Sequence, residues 1–536
     1  MNIKGLVSIL LIFGLIAAPA FAEEKAENTQ LEMLHQSVVN LINQLTQKGV
    51  LSKDDAEKML KDANVSTLNA TVVQSALATS AVAAQSGVAE ASAVPAGETV
   101  APGVIRVPYI PESMKLEMTE IIKHEVLAQA KGERWGDPGA IPDWLSRISF
   151  DGDFRLRYQK DGFPAGNAPP SAQYSPGITN TTDDHKYMRV QARLAMKAKM
   201  SDITYTEFRI SSGTTTNPVS TNQTLGTGFN KSSLVLDRAF VHSDPYSWLT
   251  FNGGKITNPW LSTDLVWDSD VNFEGVVTQL KPRISDSWVS FLTVGAFPYQ
   301  DIQRSDVVYA NSKWLYGTQL GFVWSTPDSS SAQLGVAFYN FINVEGTVNP
   351  AVGSHVYDQT AAQGMQKGNS LMYVNANGDP TLYGLASKFK ELNITAKWDW
   401  GSFSPFHAVF TADYVRNLGY NLEEIILRTG LSQSQLPPAG INGHQFMLTL
   451  GVPRIRRAGE WQANVAYKYL ESDAVLDALT DSDFHLGGTN AKGFIVGGSY
   501  GVDTNTWLSL RMSNTDQIWG PTLAIDTLQI DLNTRF

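Results

Sequence analysis

KYMRVQARLAMKAKM, residues 186–200, is the stretch that decides the fold. Apolar side chains occupy every second position from Met188 to Ala198, which is the period of a β-strand. The opposite face carries long polar side chains: Arg189, Gln191, Arg193, Lys197 and Lys199. In a soluble barrel this charged face would point to solvent. In a membrane barrel the apolar face meets lipid and the charged face lines a water-filled lumen.

About sixteen segments with this period of two follow one another from residue 148 onward. Most have roughly 9–13 residues, the length of tilted strands that cross a membrane hydrocarbon layer. The predicted strands are 148–158, 186–199, 203–212, 234–243, 247–256, 273–281, 287–297, 315–325, 332–342, 389–400, 405–416, 443–452, 460–470, 493–501, 505–514 and 524–536.

The links between these segments alternate in length. Short links rich in Pro, Asp, Ser or Gly, such as 200–202 and 502–504, alternate with long ones, such as 213–233 and 343–388. This sorting around an even number of strands is typical of an outer-membrane barrel and has no reason to occur in a soluble sandwich. The fold class we predict is therefore an all-β transmembrane antiparallel barrel over 148–536, preceded by a small α-helical periplasmic segment.

The residues before the barrel fall into four predicted parts. Lys4, an apolar run and Ala20-Phe21-Ala22 indicate a secretory signal peptide over 1–22. A leucine stripe from Leu31 to Leu45 predicts a helical hairpin or short coiled coil within 23–63. The other two parts are a low-complexity linker over 64–110 and a helix with a Pro- and Trp-containing connector over 111–147.

Composition excludes several classes of protein. The net charge of −11 argues against a nucleic-acid partner. The chain has no cysteine, so it has no disulfide and no thiolate metal site. We expect no cofactor, no metal and no catalytic residues, because none of the 8 histidines lies in a recognisable catalytic motif.

The loop TNPWLSTDLVWDSDVN, residues 257–272, is more apolar than a water-facing loop requires. We predict that it folds inward and packs on the barrel wall as a constriction. Its candidate residues are Trp260, Asp264, Trp267, Asp268 and Asp270.

A basic ladder on the lumen wall is predicted to oppose these carboxylates. Its members are Arg155, Arg157, Arg189, Arg193 and Lys197. Opposite charges across a narrow pore create a transverse field that orients polar solutes. The alternative is that Asp264 or Asp268 caps local turns and that the arginines pair with wall acids. Those acids are Asp151, Asp153 and Glu207.

Several stretches resemble the putative porin family of Gram-negative bacteria. They are IPDWLSRISFDGDFRLRYQ (141–159), GGKITNPWLSTDLVWDSDVNFEGV (253–276), the leader segment KGVLSKDDAEKML (48–60) and the terminal Phe536. The resemblance implies an outer-membrane channel that forms a homotrimer, with its N-terminal helices in the periplasm. A terminal Phe536 resembles the signal that outer-membrane assembly machinery reads.

We therefore predict a porin that lets ions and small hydrophilic solutes diffuse through a water-filled channel surrounded by outer-membrane lipid. The first alternative is a substrate-selective channel that favours anions. A structural envelope tether and a barrel enzyme are the other two alternatives.

Overall fold

A computed structural model describes residues 147–170, 178–375, 382–433, 436 and 438–536. The predicted signal peptide, helical hairpin, linker and connector lie outside the described residues, apart from Arg147, so they stay predictions. Within the described ranges, no helix combines the length and the apolar character needed to cross a membrane.

Sixteen long strands and the two-residue strand β4 (Gln223–Thr224) form one antiparallel sheet of 17 strands. The long strands are β1 (Ile148–Gly162), β2 (His185–Lys199), β3 (Thr204–Ser212), β5 (Leu234–Tyr246), β6 (Leu249–Ile256), β7 (Phe273–Leu280), β8 (Trp288–Gln300), β9 (Lys313–Ser325), β10 (Ser331–Ile342), β13 (Lys390–Trp400), β14 (His407–Asn417), β15 (Asn442–Gly451), β16 (Trp461–Leu470), β17 (Ala491–Asp503), β18 (Thr506–Gln517) and β19 (Ala524–Arg535). The predicted sixteen-stranded barrel is confirmed.

The last strand closes the barrel against the first. β19 pairs with β1 from Asp153↔Arg535 to Gly162↔Asp526, so the sheet has no free edge in lipid. Phe536 continues this pairing, because its backbone N–H donates to the Gly152 carbonyl at 3.0 Å. Phe536 as a whole is 75% exposed, and its ring lies over Gly152 on the outer surface.

The side chains of β2 alternate as the opening stretch predicts. Met188 and Leu194 are 43% and 40% exposed on the lipid side, whereas Gln191 is 3% exposed on the inner side. The outer faces of the other long strands carry mostly apolar residues in the same way, such as Phe446 and Leu510.

The long loops contain short elements that the sequence analysis did not predict. They are β4 (Gln223–Thr224), β11 (Leu371–Tyr373), β12 (Tyr383–Leu385) and the helix α1 (Leu422–Thr429). The signal for α1 is visible in the sequence. The Asn421 side chain accepts a hydrogen bond from the Glu424 N–H at the helix start, and Gly430, with φ of 68°, ends the helix.

The polar interior that we predicted predominates on only one side of the barrel. On the other side, large apolar residues of β7, β8, β9, β10 and β14 point inward and are buried: Phe273, Val277, Phe297, Leu315, Tyr339, Phe341 and Val415. They pack against apolar residues of loops 257–272 and 471–490, including Leu265, Val266, Trp267, Val475, Leu476 and Leu479. Because both surfaces lose contact with water on packing, this side of the interior is a hydrophobic core.

Candidate functional site

The loop that joins β6 to β7, residues 257–272, lies inside the barrel. Two tryptophans attach it to the inner wall. The ring of Trp260 lies 5.3 Å from that of Tyr339, and the ring of Trp267 lies 5.1 Å from Tyr339 and 4.8 Å from Phe273. Trp260 is 6% exposed and Trp267 is 2% exposed, so both act as buried anchors.

Hydrogen bonds join the same loop to two parts of the inner wall, β9 and β14. The Leu261 N–H donates to Gln319 of β9 at 2.8 Å, and the Gln319 amide donates back to the Leu261 carbonyl at 2.8 Å. Further along the loop, the N–H and hydroxyl of Thr263 donate to Asp413 of β14 at 3.1 and 2.6 Å. The loop is therefore fixed to separate parts of the wall.

A second inward loop, residues 471–490, completes the site, and the sequence analysis missed it. Its Leu479 carbonyl accepts the Asp268 N–H at 2.8 Å, and its Ser482 N–H donates to the Asp268 carboxyl at 2.8 Å. Two signals were available in the sequence. The run AVLDAL at 474–479 is apolar except for Asp477, and the triplet Asp-Ser-Asp occurs in both loops, at 268–270 and 481–483.

Two members of the predicted basic ladder connect the wall to these loops. Arg157 donates to both oxygens of Asp531 on β19 at 2.8 and 2.9 Å, and to Asp483 at 2.9 Å. Arg193 donates to Asp153 at 2.9 Å and to Asp270 at 3.0 Å. Wall arginines and loop carboxylates are thus in direct contact.

The other three members of the ladder differ from these two. The Arg155 guanidinium donates to Asn222 at 2.7 Å and that of Arg189 to Ser220 at 3.5 Å. Among the described residues neither forms an ion pair, and the Nε atom of each is buried without an acceptor. Lys197 lies apart from the loops, with its Nζ 3.5 Å from the centre of the Tyr205 ring.

Lys468 and Arg511 are two further cations that contact the loop carboxylates. Together with Arg157, Arg193, Asp264, Asp270, Asp481 and Asp483 they form the charged cluster. The alternation in the sequence places Lys468 and Arg511 in the lumen but gives them no role. Lys468 contacts Asp481 at 2.9 Å and Asp264 at 3.4 Å, and Arg511 contacts Asp481 at 3.1 Å and Asp483 at 3.5 Å.

The three predicted loop carboxyls have different environments. Asp270 pairs with Arg193, as described above. Asp264 accepts a hydrogen bond from Gln445 at 2.7 Å, and its side chain stays 36% exposed. Asp268 caps a turn, because it accepts the Asp270 N–H at 2.8 Å as well as the Ser482 N–H.

The alternative pairing of the arginines inside the wall is present only in part. Arg193 contacts Asp153 as well as Asp270. Glu207, which the alternative pairs with the ladder, contacts Arg238 at 3.2 Å. The contacts of the ladder are therefore shared between the wall and the loops.

Burial and neighbouring charges shift the pKa values of two loop carboxyls. Burial, with the Asp481 carboxylate nearby, raises the pKa of Asp268 to about 8. Burial also opposes ionisation of Asp483, but Arg157 and Arg511 overcome it and lower the pKa of Asp483 to about 2. Asp268 is therefore uncharged near neutral pH, whereas Asp483 is ionised.

A cavity of about 210 Å³ lies between the wall and the two loops. Its charged lining residues are Arg155, Arg193, Arg511, Asp264, Asp268, Asp270, Asp481 and Asp483. A second cavity of about 400 Å³ lies along β1 and β2, contains Arg189 in its lining and shares Ser482 and Asp483 with the first. Both cavities lie beside the polar side of the barrel.

We predict that raising the pH above about 8 loosens the contact between the two inward loops. The folded pKa of Asp268 exceeds its ordinary value, so the folded protein retains a proton that the unfolded chain loses, and stability falls as pH rises from about 4 through about 8. Single-channel recordings from pH 6 to 9 should show a rise in current or current noise. Asp268→Asn should abolish this step, whereas Asp306→Asn, at an exposed loop position, should retain it. A step that persists in Asp268→Asn would contradict the assignment.

Comparison with solved structures finds outer membrane proteins at low sequence identity and low TM-score. The outer membrane protein OmpT of Vibrio cholerae, in its trimer form, is 10% identical, with a TM-score of 0.40 over 73% of this chain and 99% of its own. The outer membrane channel DcaP of Acinetobacter baumannii is 12% identical, with a TM-score of 0.36 over 73% of this chain and 97% of its own. OprB of Pseudomonas putida is 10% identical, with a TM-score of 0.42 over 74% and 96%.

No curated protein matches the chain in sequence. A family model described as "Putative porin" matches residues 35–536. Because this match spans most of the chain, the protein belongs to the "Putative porin" family of outer-membrane channel proteins.

Proposed function

We propose that the protein lets ions and small hydrophilic solutes diffuse through a narrow water-filled path beside β1, β2 and β18. The contact of Arg193 with Asp270 at 3.0 Å carries this proposal, because it joins the basic wall directly to the inward loop. Family membership favours a channel over an enzyme.

The charges along this path are arranged on two sides. Arg155, Arg189 and Arg193 belong to the wall, whereas Asp264 and Asp270 belong to the loop. Such an arrangement between low-dielectric walls produces a field across the pore, which orients polar solutes as they pass. We propose that loop 257–272 is the constriction.

One observation favours a substrate-selective channel over a general one. The hydrophobic core fills one side of the interior, and the cavity beside the charged cluster has a volume of only about 210 Å³. The proposed path is therefore narrower than a barrel of sixteen strands would allow if its interior were empty.

Reversal potentials across a salt gradient test the constriction. Replacing Asp264, Asp268 and Asp270 together by Asn removes the negative charges of Asp264 and Asp270, because Asp268 is already uncharged near neutral pH, while the wall arginines remain. We expect the reversal potential to shift towards anion preference. Unchanged ion selectivity would remove the loop from the constriction, and absence of conductance from pure, folded protein would contradict a channel altogether.

We infer that the outer face of β6 and β7 contacts another copy of the chain in the homotrimer expected from the family resemblance. Lys255 and Glu274 point outward there and form an ion pair at 2.8 Å. Lys255 is paired with Ala239 of β5 and with Glu274 of β7, next to the ends of β6 and β7 where loop 257–272 begins and ends. A Lys that faces lipid is destabilising by an amount that grows with its depth in the bilayer, and contact with protein would avoid this cost.

Lipid accessibility tests this face. Because the chain has no cysteine, a single nitroxide label reports one position. We expect a label at Val276→Cys, beside the ion pair, to be shielded from oxygen dissolved in lipid. A label at Leu448→Cys on β15 should be accessible. Equal accessibility would contradict the proposed interface.

We also propose that outer-membrane assembly machinery recognises the exposed Phe536 at the end of β19, and that the N-terminal helices lie in the periplasm. The exposed ring and the pairing of Phe536 with Gly152 support the first part. The second part depends on the prediction that the start of β1 and the end of β19 both lie on the side of the barrel that carries the short turns.

A further inference from the structure

The charges that line the 210 Å³ cavity are nearly balanced. Three guanidinium groups, from Arg155, Arg193 and Arg511, share the lining with five carboxyl groups. One carboxyl, that of Asp268, is uncharged near neutral pH. A single anion or a single cation therefore meets both attraction and repulsion inside this cavity.

Most of these charges already satisfy one another. Arg193 pairs with Asp270 at 3.0 Å, and Arg511 contacts Asp481 at 3.1 Å and Asp483 at 3.5 Å. These paired groups gain little free energy by binding a solute, because each new contact would replace an existing one.

One cation in the cavity lining has no carboxylate partner among the described residues. Arg155 makes a single side-chain hydrogen bond, to the neutral amide of Asn222, and its buried Nε has no acceptor among the described residues. An unpaired guanidinium next to a water-accessible cavity favours a carboxylate, which accepts two parallel N–H groups.

One carboxylate in the same lining is only weakly neutralised. The Asp264 side chain is 36% exposed, and its nearest cation, Lys468, lies 3.4 Å away and contacts Asp481 more closely, at 2.9 Å. Asp264 is therefore available to a positively charged group of a solute.

We propose that this cavity is a binding subsite for small zwitterions that carry one carboxylate and one ammonium group, as amino acids do. The solute carboxylate binds Arg155 and its ammonium group faces Asp264. Arg189, which also lacks an ion-pair partner among the described residues, lines the adjacent 400 Å³ cavity and attracts the carboxylate during approach. This inference rests on the proposed channel function and names its solute class.

The test measures interruption of single-channel ion current by two isomers, L-alanine and lactamide, which contain the same atoms. Only alanine is a zwitterion. We expect alanine to interrupt the current at a lower concentration than lactamide. Arg155→Gln and Asp264→Asn should each weaken the effect of alanine by about fivefold, the scale of a solvent-accessible ion pair. Lys397→Gln, on the inner face of β13, is the matched control and should leave it unchanged.

The outcomes separate the two proposals. Equal effects of alanine and lactamide on a conducting channel would overturn the zwitterion subsite and leave the channel function intact. A stronger effect of propionate than of alanine would also overturn it, because that result indicates an anion site. Absence of ion current in the unmodified protein would contradict the proposed function itself.

Discussion

The packing of Trp260 and Trp267 against the inner wall around Tyr339 determines where water enters this barrel. Both indoles are buried, and both contact the Tyr339 ring, which is itself 0% exposed. Burial of such aromatic surface is a large favourable term, so loop 257–272 stays inside the barrel although it joins two membrane strands. Once this loop is inside, the apolar inner residues of β7 to β10 have a partner and need not face water.

The position of the charged cluster follows from this division. With one side of the interior filled by the hydrophobic core, the polar residues of β1, β2, β18 and β19 line the remaining space. Loops 257–272 and 471–490 carry their Asp-Ser-Asp triplets to this boundary, where Arg157 and Arg193 contact them at 2.9 and 3.0 Å. These ion pairs are tolerable inside the protein because each carboxylate has a specific cationic partner. Within the part of the chain that the structure describes, Arg155 beside the cavity has no carboxylate partner.

The sequence predicts the wall better than the interior, and the reason is physical. The alternation of apolar and polar residues in 186–200 depends only on neighbouring positions, so it predicts which side chains of β2 point inward. The lengths of the links predict which ends of the strands carry short turns and which carry long loops. The apolar content of loop 257–272 correctly favours packing on the wall. The partners of the arginines depend instead on distant segments: Arg157 contacts Asp531 and Asp483, which are 374 and 326 positions away. Periodicity therefore predicts that Arg155 and Arg157 share a face, but not that only Arg157 is neutralised.

Water accessibility of two engineered cysteines tests the division of the interior most directly, because the chain has no cysteine of its own. Ser269 lines the charged cavity and is exposed, whereas Ala337 points inward from β10 and is 1% exposed. Both accept cysteine with little change in volume. A charged, membrane-impermeant thiol reagent should modify Ser269→Cys and alter the conductance of the folded channel, and it should leave Ala337→Cys unmodified. Equal reaction at both positions would show that water fills the whole interior and would contradict this account.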